Sequence, residues 1–162
     1  MNGLMYYPSI LFSILFLVLF PSNPPKIQRI WFFTQDQNLG INPPIASLNT
    51  NPGTLHTLFC YLELSKRQSM PIWKGAYYQN EFYSVEVIPI NQDSLWVGRL
   101  KLNHKNFLIH RNPQNPMVEL RFINPVPQSK NSSLTLIGEI HHSPFKIPIR
   151  DPIIELEPQN FQ

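Results

Sequence analysis

The chain has 162 residues, enough for one domain with a hydrophobic core and a short additional segment. Its net charge of +3 is mild, and charged residues make up 14% of the chain, below the roughly one quarter that is typical of soluble domains. The single cysteine, Cys60, excludes an intrachain disulfide, and the basic residues match no RRM, KH or zinc-finger signature, so nucleic-acid binding is not expected.

Residues 1–25 form an uncharged apolar head, because the first charged side chain is Lys26. The apolar run Leu4–Phe20 predicts one N-terminal hydrophobic helix. At about 1.5 Å per residue this helix is about 25 Å long, slightly less than a hydrocarbon layer of about 30 Å. The pattern favours a retained single-pass membrane anchor and places the protein in a membrane.

Two other interpretations of the head compete with the anchor. The 11 apolar residues Ile10–Phe20 fit the centre of a secretory signal peptide, although no basic residue precedes them and no A-x-A-like cleavage site follows. Cleavage there predicts a secreted or periplasmic protein. A buried helix of a soluble domain fits least, because the segment is apolar on every face. The side of the membrane that holds the body stays open.

The next segment, residues 26–54, is rich in Asn, Pro and Gly, and is predicted to be a linker or long loop. Within it, Ile30–Phe33 is either a first short strand or an aromatic patch at the membrane interface.

Residues 55–157 are predicted to form the β-domain, followed by a frayed tail at 158–162. The chain contains 17 prolines, and their density in this body excludes long helices there. Short apolar or alternating runs favour strands instead. The longer runs are Leu55–Leu64, Ile72–Tyr78, Phe82–Ile88, Leu95–Leu102, Phe107–Arg111, Met117–Ile123, Leu134–His141, Phe145–Ile149 and Ile153–Glu157. The predicted fold is therefore an all-β antiparallel sandwich or barrel of about eight short strands.

The stretch around "NHKN" predicts a hairpin with a definite register. A loop centred there places Leu102 opposite Phe107 and Leu100 opposite Ile109, so that one face of the hairpin is apolar. The other face pairs Arg99 with His110 and is mostly polar, as a half-buried antiparallel pair requires.

A group of aromatic residues on neighbouring runs is the first candidate site. Aromatic rings can form a platform for a glycan or another small ligand, and they can equally fill the core of a small β-domain. The candidate ligand-binding residues are Trp73, Tyr77, Tyr78, Tyr83 and Trp96.

The basic residues of the predicted hairpin are the second candidate site. If the head holds the domain near a bilayer, each can contact anionic headgroups for about 1 kcal/mol. A solvated outer face is the simpler interpretation of the same pattern. The candidate membrane-surface residues are Arg99, Lys101, Lys105 and Arg111.

No motif for catalysis, phosphate binding or metal binding occurs in the chain, so we predict no catalytic residue, no metal and no cofactor, and we do not expect an enzyme. The preferred function is a membrane-anchored β-domain that acts as a binding or assembly module, with the membrane and another protein of a membrane complex as partners. The alternative is a secreted or periplasmic β-domain that binds a glycan or other small ligand.

Overall fold

The computed structural model describes residues 24–37, 55–127 and 133–159. All regular structure in these ranges is β-strand, so the all-β prediction is confirmed. The predicted N-terminal helix lies outside the described residues.

The strands form a central sheet, an outer sheet and a separate hairpin. The central sheet has the order β12-β1-β2-β8-β5 with β9 also on β2, the outer sheet has the order β11-β10-β3-β4, and the hairpin pairs β6 with β7. The strands are β1 (Ile27–Gln37), β2 (Leu55–Leu64), β3 (Ile72–Tyr78), β4 (Glu81–Tyr83), β5 (Val85–Pro89), β6 (Ser94–Arg99), β7 (Asn106–His110), β8 (Met117–Phe122), β9 (Val126–Pro127), β10 (Leu134–Ile140), β11 (Ser143–Ile149) and β12 (Ile153–Gln159).

The central and outer sheets pack face to face as a sandwich around the main core. Strand β10 shows the required period of two, with every second residue buried from Leu134 to Ile140. Its inward side chains meet those of the central sheet, among them Phe32, Cys60 and Leu120. The two sheets are joined at both sides by the chain itself, through Ser84 between β4 and β5 and through residues 150–152 between β11 and β12.

The hairpin covers the opposite face of the central sheet and makes a second core. Val97 of β6 and Ile109 of β7 pack on Phe33, Phe59 and other side chains of that face. The central sheet is therefore buried on both faces, which explains why β2 is a nearly continuous apolar run without alternation. The molecule has three layers: hairpin, central sheet and outer sheet.

Strand β1 occupies part of the segment that the sequence predicts as a linker. It pairs with β2 along most of its length, and the adjacent side chains Phe32 and Phe33 are buried in different cores. Of the two interpretations of Ile30–Phe33, the structure therefore has the strand, and extends it to Ile27–Gln37. The β-domain begins at Ile27 rather than residue 55, and residues 38–54 lie outside the described ranges.

One pairing differs from the predicted antiparallel arrangement. Strand β12 runs parallel to β1, with Phe32 opposite Ile153 and Thr34 opposite Glu155. This strand extends to Gln159, so the first part of the predicted tail belongs to the sheet. The parallel pairing follows from the corner after β11, which returns the chain to the free edge of β1.

The hairpin forms at the predicted place, but the predicted register is wrong. Leu95, and not Leu100, lies opposite Ile109, and an irregularity follows between Trp96 and Gly98. The connecting turn lies earlier in the chain than predicted, because the Leu100 N–H donates to the carbonyl oxygen of Lys105, while Leu100 also forms a bridge with Leu156 of β12. Leu102 consequently lies in the turn and is 92% exposed.

Candidate interaction surfaces

The structure separates the five predicted ligand-binding aromatic residues. Trp73 and Tyr78 are buried in the main core, and Tyr83 packs against it from a partly buried position. Tyr77 is 39% exposed and lies between the buried residues Ala76 and Tyr78, so its ring points away from the core. Trp96 lies on the hairpin, in a different layer. The five rings do not form one platform.

A smaller aromatic surface lies on the outward face of the outer sheet. Tyr77 and Phe82 are directly paired across β3 and β4, and their rings meet edge to face with centroids 5.6 Å apart. Lys146 places its Nζ 5.8 Å from the centroid of Tyr77. This cation–π contact joins the third residue to the surface.

The outward face of the hairpin carries an apolar pair. Trp96 and Leu108 lie opposite each other on β6 and β7, and they are 55% and 50% exposed. Their neighbours Val97 and Ile109 point inward to the second core. Together with Leu102 in the turn, this pair makes the hairpin's outward face an exposed apolar surface.

The predicted membrane-surface cations surround this apolar face, but three of the four have acidic partners. The Arg99 guanidinium lies 3.6 Å from Glu157, the Lys101 ammonium lies 3.4 Å from both Asp36 and Glu155, and the Arg111 guanidinium lies 3.3 Å from Asp93. Lys105 forms no ion pair within the described ranges. Because exposed pairs at these distances contribute little, the exposed side chains of Arg99 and Lys101 can exchange partners, whereas the Arg111 side chain is mostly buried and also donates to the carbonyl oxygen of Asn91.

Glu157 links the turn of the hairpin to β12. Its carboxylate forms a hydrogen bond with His104 and an ion pair with Arg99. The His104 hydrogen bond is the main reason that the pKa of Glu157 is lower than usual. Desolvation opposes this shift and the positive charge of Arg99 adds to it, so Glu157 stays ionised in mildly acidic solution.

The two ends of the hairpin lie at opposite ends of β1. Lys101, at the turn, contacts Asp36 near the end of β1, whereas the Arg29 guanidinium near its beginning donates to the carbonyl oxygen of His110 at 2.8 Å. At about 3.3 Å per residue, Arg29 and Asp36 are separated by about 23 Å. Arg111 therefore lies near the point where the head joins the domain, and Lys101 and Lys105 lie far from it.

A buried glutamate fixes the hairpin to the central sheet. Glu63 is 1% exposed, and its carboxylate accepts hydrogen bonds from Arg29, with Nε at 2.7 Å, and from the Asn115 side-chain amide at 2.6 Å. Arg29 also lies over the Trp31 ring. The network joins β1, β2 and the segment before β8, which satisfies the buried carboxylate.

A buried histidine lies beside a partly exposed carboxylate at the other end of the same two strands. His56 is directly opposite Asp36, and its Nδ1 lies 2.7 Å from the Asp36 carboxylate. A histidine and carboxylate are two parts of a nucleophilic triad. Within the described ranges, however, no hydrogen bond joins His56 Nε2 to a hydroxyl or thiol. The pair therefore supplies no nucleophile there.

Cys60 is not a reactive thiol in this structure. It is fully buried in the main core, and burial, with a smaller contribution from the charge of Glu119, raises the pKa of the thiol. Burial and Glu119 likewise raise the pKa of the neighbouring Tyr61 phenol. Cys60 is therefore a buried core side chain of β2.

The two buried glutamates can be recognised in the sequence, because each is a single acid within an apolar strand. Glu63 interrupts the apolar run "LFCYLEL", and Glu119 interrupts "MVELRF". A lone acid inside a buried strand requires a partner, since an unpaired buried charge is costly. The identity of that partner depends on tertiary contacts, and in the case of Glu63 it comes from residues 34 and 52 positions away.

Two kinds of site are absent from residues 24–37, 55–127 and 133–159. No three His, Cys, Asp or Glu side chains converge there as a metal site would require. Those ranges also contain no helix with the length and apolar character needed to cross a bilayer.

Comparison with known proteins returned no match, whether against protein-family models, curated proteins or solved structures.

Proposed function

We propose that the protein is a single-pass membrane protein whose β-domain is a binding or assembly module at the lipid surface. The uncharged head of residues 1–25 supplies the anchor, and the hairpin's outward face lies against the headgroups. The β-domain then presents its other surfaces to a partner protein.

The exposed pair Trp96–Leu108 is the observation that carries this proposal. Half-exposed tryptophan and leucine on an outward strand face lose contact with water when they enter the interfacial region of a bilayer. Tryptophan is also the residue that favours this region, because its ring is apolar and its N–H is polar. Leu102 and Lys105 extend the same surface with an apolar side chain and a positive charge.

The positions of the cations determine how the domain lies. A domain standing upright on its anchor brings only the Arg111 end of the hairpin to the bilayer. A domain lying on its hairpin layer brings Arg111, Trp96 and Lys105 to the headgroups together. We favour the second orientation, in which the outer sheet with Tyr77 and Phe82 faces away from the membrane.

Fluorescence quenching tests this orientation in the full chain reconstituted into liposomes that contain brominated lipids. We expect Trp96 to be quenched, so the wild-type protein loses more fluorescence than the Trp96→Phe variant. Phe82→Ala, on the opposite layer, is the matched control and should behave as wild type. Equal quenching of the wild type and Trp96→Phe would show that the hairpin does not touch lipid.

The second candidate function is a secreted or periplasmic domain that binds a glycan. The exposed surface of Tyr77, Phe82 and Lys146 favours it, since flat aromatic faces bind sugar rings. N-terminal sequencing of the mature protein distinguishes the two functions. A start at Met1 or Asn2 supports the anchor, whereas a start near residues 20–25 supports the secreted alternative.

A further inference from the structure

The first half of β1 has a strand on only one side. Strand β2 pairs with it from Ile27 onward, but the parallel pairing with β12 begins only at Phe32. In a β-strand, alternate residues direct their N–H and C=O groups to opposite edges. Residues 27–31 therefore present a free strand edge, to which no strand in the described part of the chain is paired.

A groove of about 490 Å³ runs along this edge. One wall is β1 from Ile27 to Trp31, and the other is the end of β11, from Ile147 to Ile149, with Asp151 beyond it. The volume lies within the range of about 300–1,000 Å³ that is usual for ligand sites. Both walls are extended backbone, so the groove fits an extended chain better than a compact molecule.

The groove is lined by both polar and apolar side chains, and its four isoleucines are continuous with the main core. Ile27, Ile30, Ile147 and Ile149 are partly buried and pack against the core from this side. An added strand that carries apolar side chains at alternate positions would complete their burial.

The charge of the groove comes from Asp151. Its side chain is exposed and forms no ion pair within the described ranges. The Arg29 charge is already compensated by the Glu63 carboxylate. A ligand with a basic residue near one end therefore complements the groove.

The two walls differ in how far they are protected against strand addition. In the regular pairing of β10 with β11, Pro144 and Pro148 occupy alternate positions with Lys146 between them. Since proline has no N–H to give to β10, these three positions are the ones that face the free edge of β11. Two of the three outward amides are thus removed, a common protection of edge strands. Residues 27–31 contain no proline, so the β1 edge keeps its donors.

We propose that this groove binds an extended segment of a second polypeptide by β-strand addition. The segment hydrogen-bonds to the β1 edge, places alternate apolar side chains against the four isoleucines, and contacts Asp151 through a lysine or arginine. The head of this chain is the less suitable occupant, because residues 1–25 contain no basic side chain. The inference does not depend on whether the head is a membrane anchor.

The test uses the full chain in detergent micelles and a ten-residue peptide of alternating valine and threonine with a lysine at each end. Two matched control peptides have the same side chains. Each carries N-methyl groups on one of the two alternate sets of residues, which removes the backbone donors from one edge of the peptide. Binding is measured by fluorescence anisotropy of labelled peptide. Amide hydrogen exchange of residues 28–31 reports whether the peptide lies on the β1 edge.

We expect the peptide to slow exchange of those amides of residues 28–31 that face the free edge. Of the two control peptides, the one methylated on the set of residues that faces β1 should bind at least about tenfold more weakly. Asp151→Asn should weaken the lysine peptide by about threefold to tenfold and leave a glutamine-ended peptide unchanged.

Three results would overturn the proposal. The first is unchanged exchange of residues 28–31 at millimolar peptide. The second is equal affinity for the peptide and both N-methylated controls. The third is full protection of these amides in the protein without peptide, because the chain itself would then fill the groove.

Discussion

Gly75 shows at the scale of one residue how closely the outer sheet is packed. A Cβ at this position would lie 2.5 Å from the carbonyl oxygen of Tyr83 and 2.6 Å from Cζ of Phe82. Contacts this short force the backbone of β4 to move, so we expect Gly75→Ala to lower the free energy of unfolding by about 2–3 kcal/mol in urea denaturation.

Gly98 is the matched control for this prediction. Its φ of +157° is nearly the same as the +159° of Gly75, but its nearest neighbour is a flexible Leu156 methyl at 3.3 Å. Both alanine substitutions carry the same backbone cost, so the difference between them reports the steric contact. Equal loss of stability in the two variants would contradict the packing at Gly75.

Cys60 predicts a pH dependence at the same scale. Burial raises the pKa of this thiol in the folded state, whereas in the unfolded chain it ionises near its usual pKa of about 8.5. The contribution of this thiol to the free energy of unfolding is therefore complete below about pH 8.5. It is lost as the pH rises above that value, because only the unfolded state releases the proton. At pH 10 the loss reaches about 2 kcal/mol.

Urea unfolding at pH 8 and pH 10, under reducing conditions, measures this loss. We expect the decrease in unfolding free energy to be about 2 kcal/mol smaller in Cys60→Ala than in the wild type. The alanine variant keeps Tyr61, whose raised pKa acts above about pH 10, so the comparison isolates the thiol. Parallel decreases in the two proteins would show that Cys60 ionises in the folded state.

The Glu63–Arg29 pair gives the third residue-scale prediction. Arg29→Met leaves a buried carboxylate with Asn115 as its remaining partner, so we expect a loss of about 3–5 kcal/mol in unfolding free energy. The double variant Arg29→Met, Glu63→Leu should recover much of that loss, since it removes the buried charge. The exposed pair Lys74–Glu139, at 3.4 Å, is the control, and Lys74→Met should cost less than about 1 kcal/mol.

That prediction fails if Arg29→Met and Lys74→Met cost the same. The partner of the buried Glu63 carboxylate would then be as dispensable as a partner in a surface pair.

At the scale of elements, β1 is the strand on which both cores depend. Phe33 is fully buried in the second core and stacks on Phe59 with ring centroids 5.5 Å apart. We expect Phe33→Ala to lower the unfolding free energy by about 3–5 kcal/mol, as for other buried aromatic residues. Phe82→Ala, half exposed on the outer sheet, should cost much less. A small effect of Phe33→Ala would indicate that this segment is the linker that its composition suggests.

Strand positions could be predicted from the sequence because they depend on local pattern. The runs Leu55–Leu64 and Ile72–Tyr78 coincide with β2 and β3. The predicted run Phe82–Ile88 was wrong as one strand, because it is divided between β4 and β5, which lie in different sheets. For β1 the predicted strand is too short. Its residues Phe32 and Phe33 are buried on opposite faces, so β1 lacks the alternation that identifies a half-buried strand.

The hairpin register could not be predicted from its own residues. Leu100 and Leu102 continue the apolar alternation of β6, which favours the register that pairs them with β7. In the observed register Leu100 is hydrogen-bonded to Lys105 and also forms a bridge with Leu156, which belongs to a strand more than fifty residues later. Only a tertiary contact therefore determines where the turn begins.

At the scale of the whole molecule, the three layers separate the candidate sites. The hairpin presents Trp96 and Leu108 on one side, and the outer sheet presents Tyr77 and Phe82 on the other. The sequence brought these rings together as one aromatic group, because β3, β4 and β6 are close along the chain. The sequence does not show that, between β4 and β6, the chain passes from the outer sheet to the hairpin on the opposite face of the central sheet.

The ionic contacts of the hairpin also depend on the whole fold. From the sequence, Arg99, Lys101, Lys105 and Arg111 form a basic stretch. In the structure, acids from β1, β12 and the segment before β6 lie beside three of them. The membrane contact we propose consequently depends more on the exposed apolar pair than on net positive charge.

The central claim, that the head holds the β-domain in a membrane, is tested most directly by an alkaline carbonate wash of membranes from cells that express the full chain. The wash releases proteins that are bound only at the surface and retains those that span the bilayer. We expect the full chain to stay in the membrane pellet. Complete release into the supernatant would contradict it.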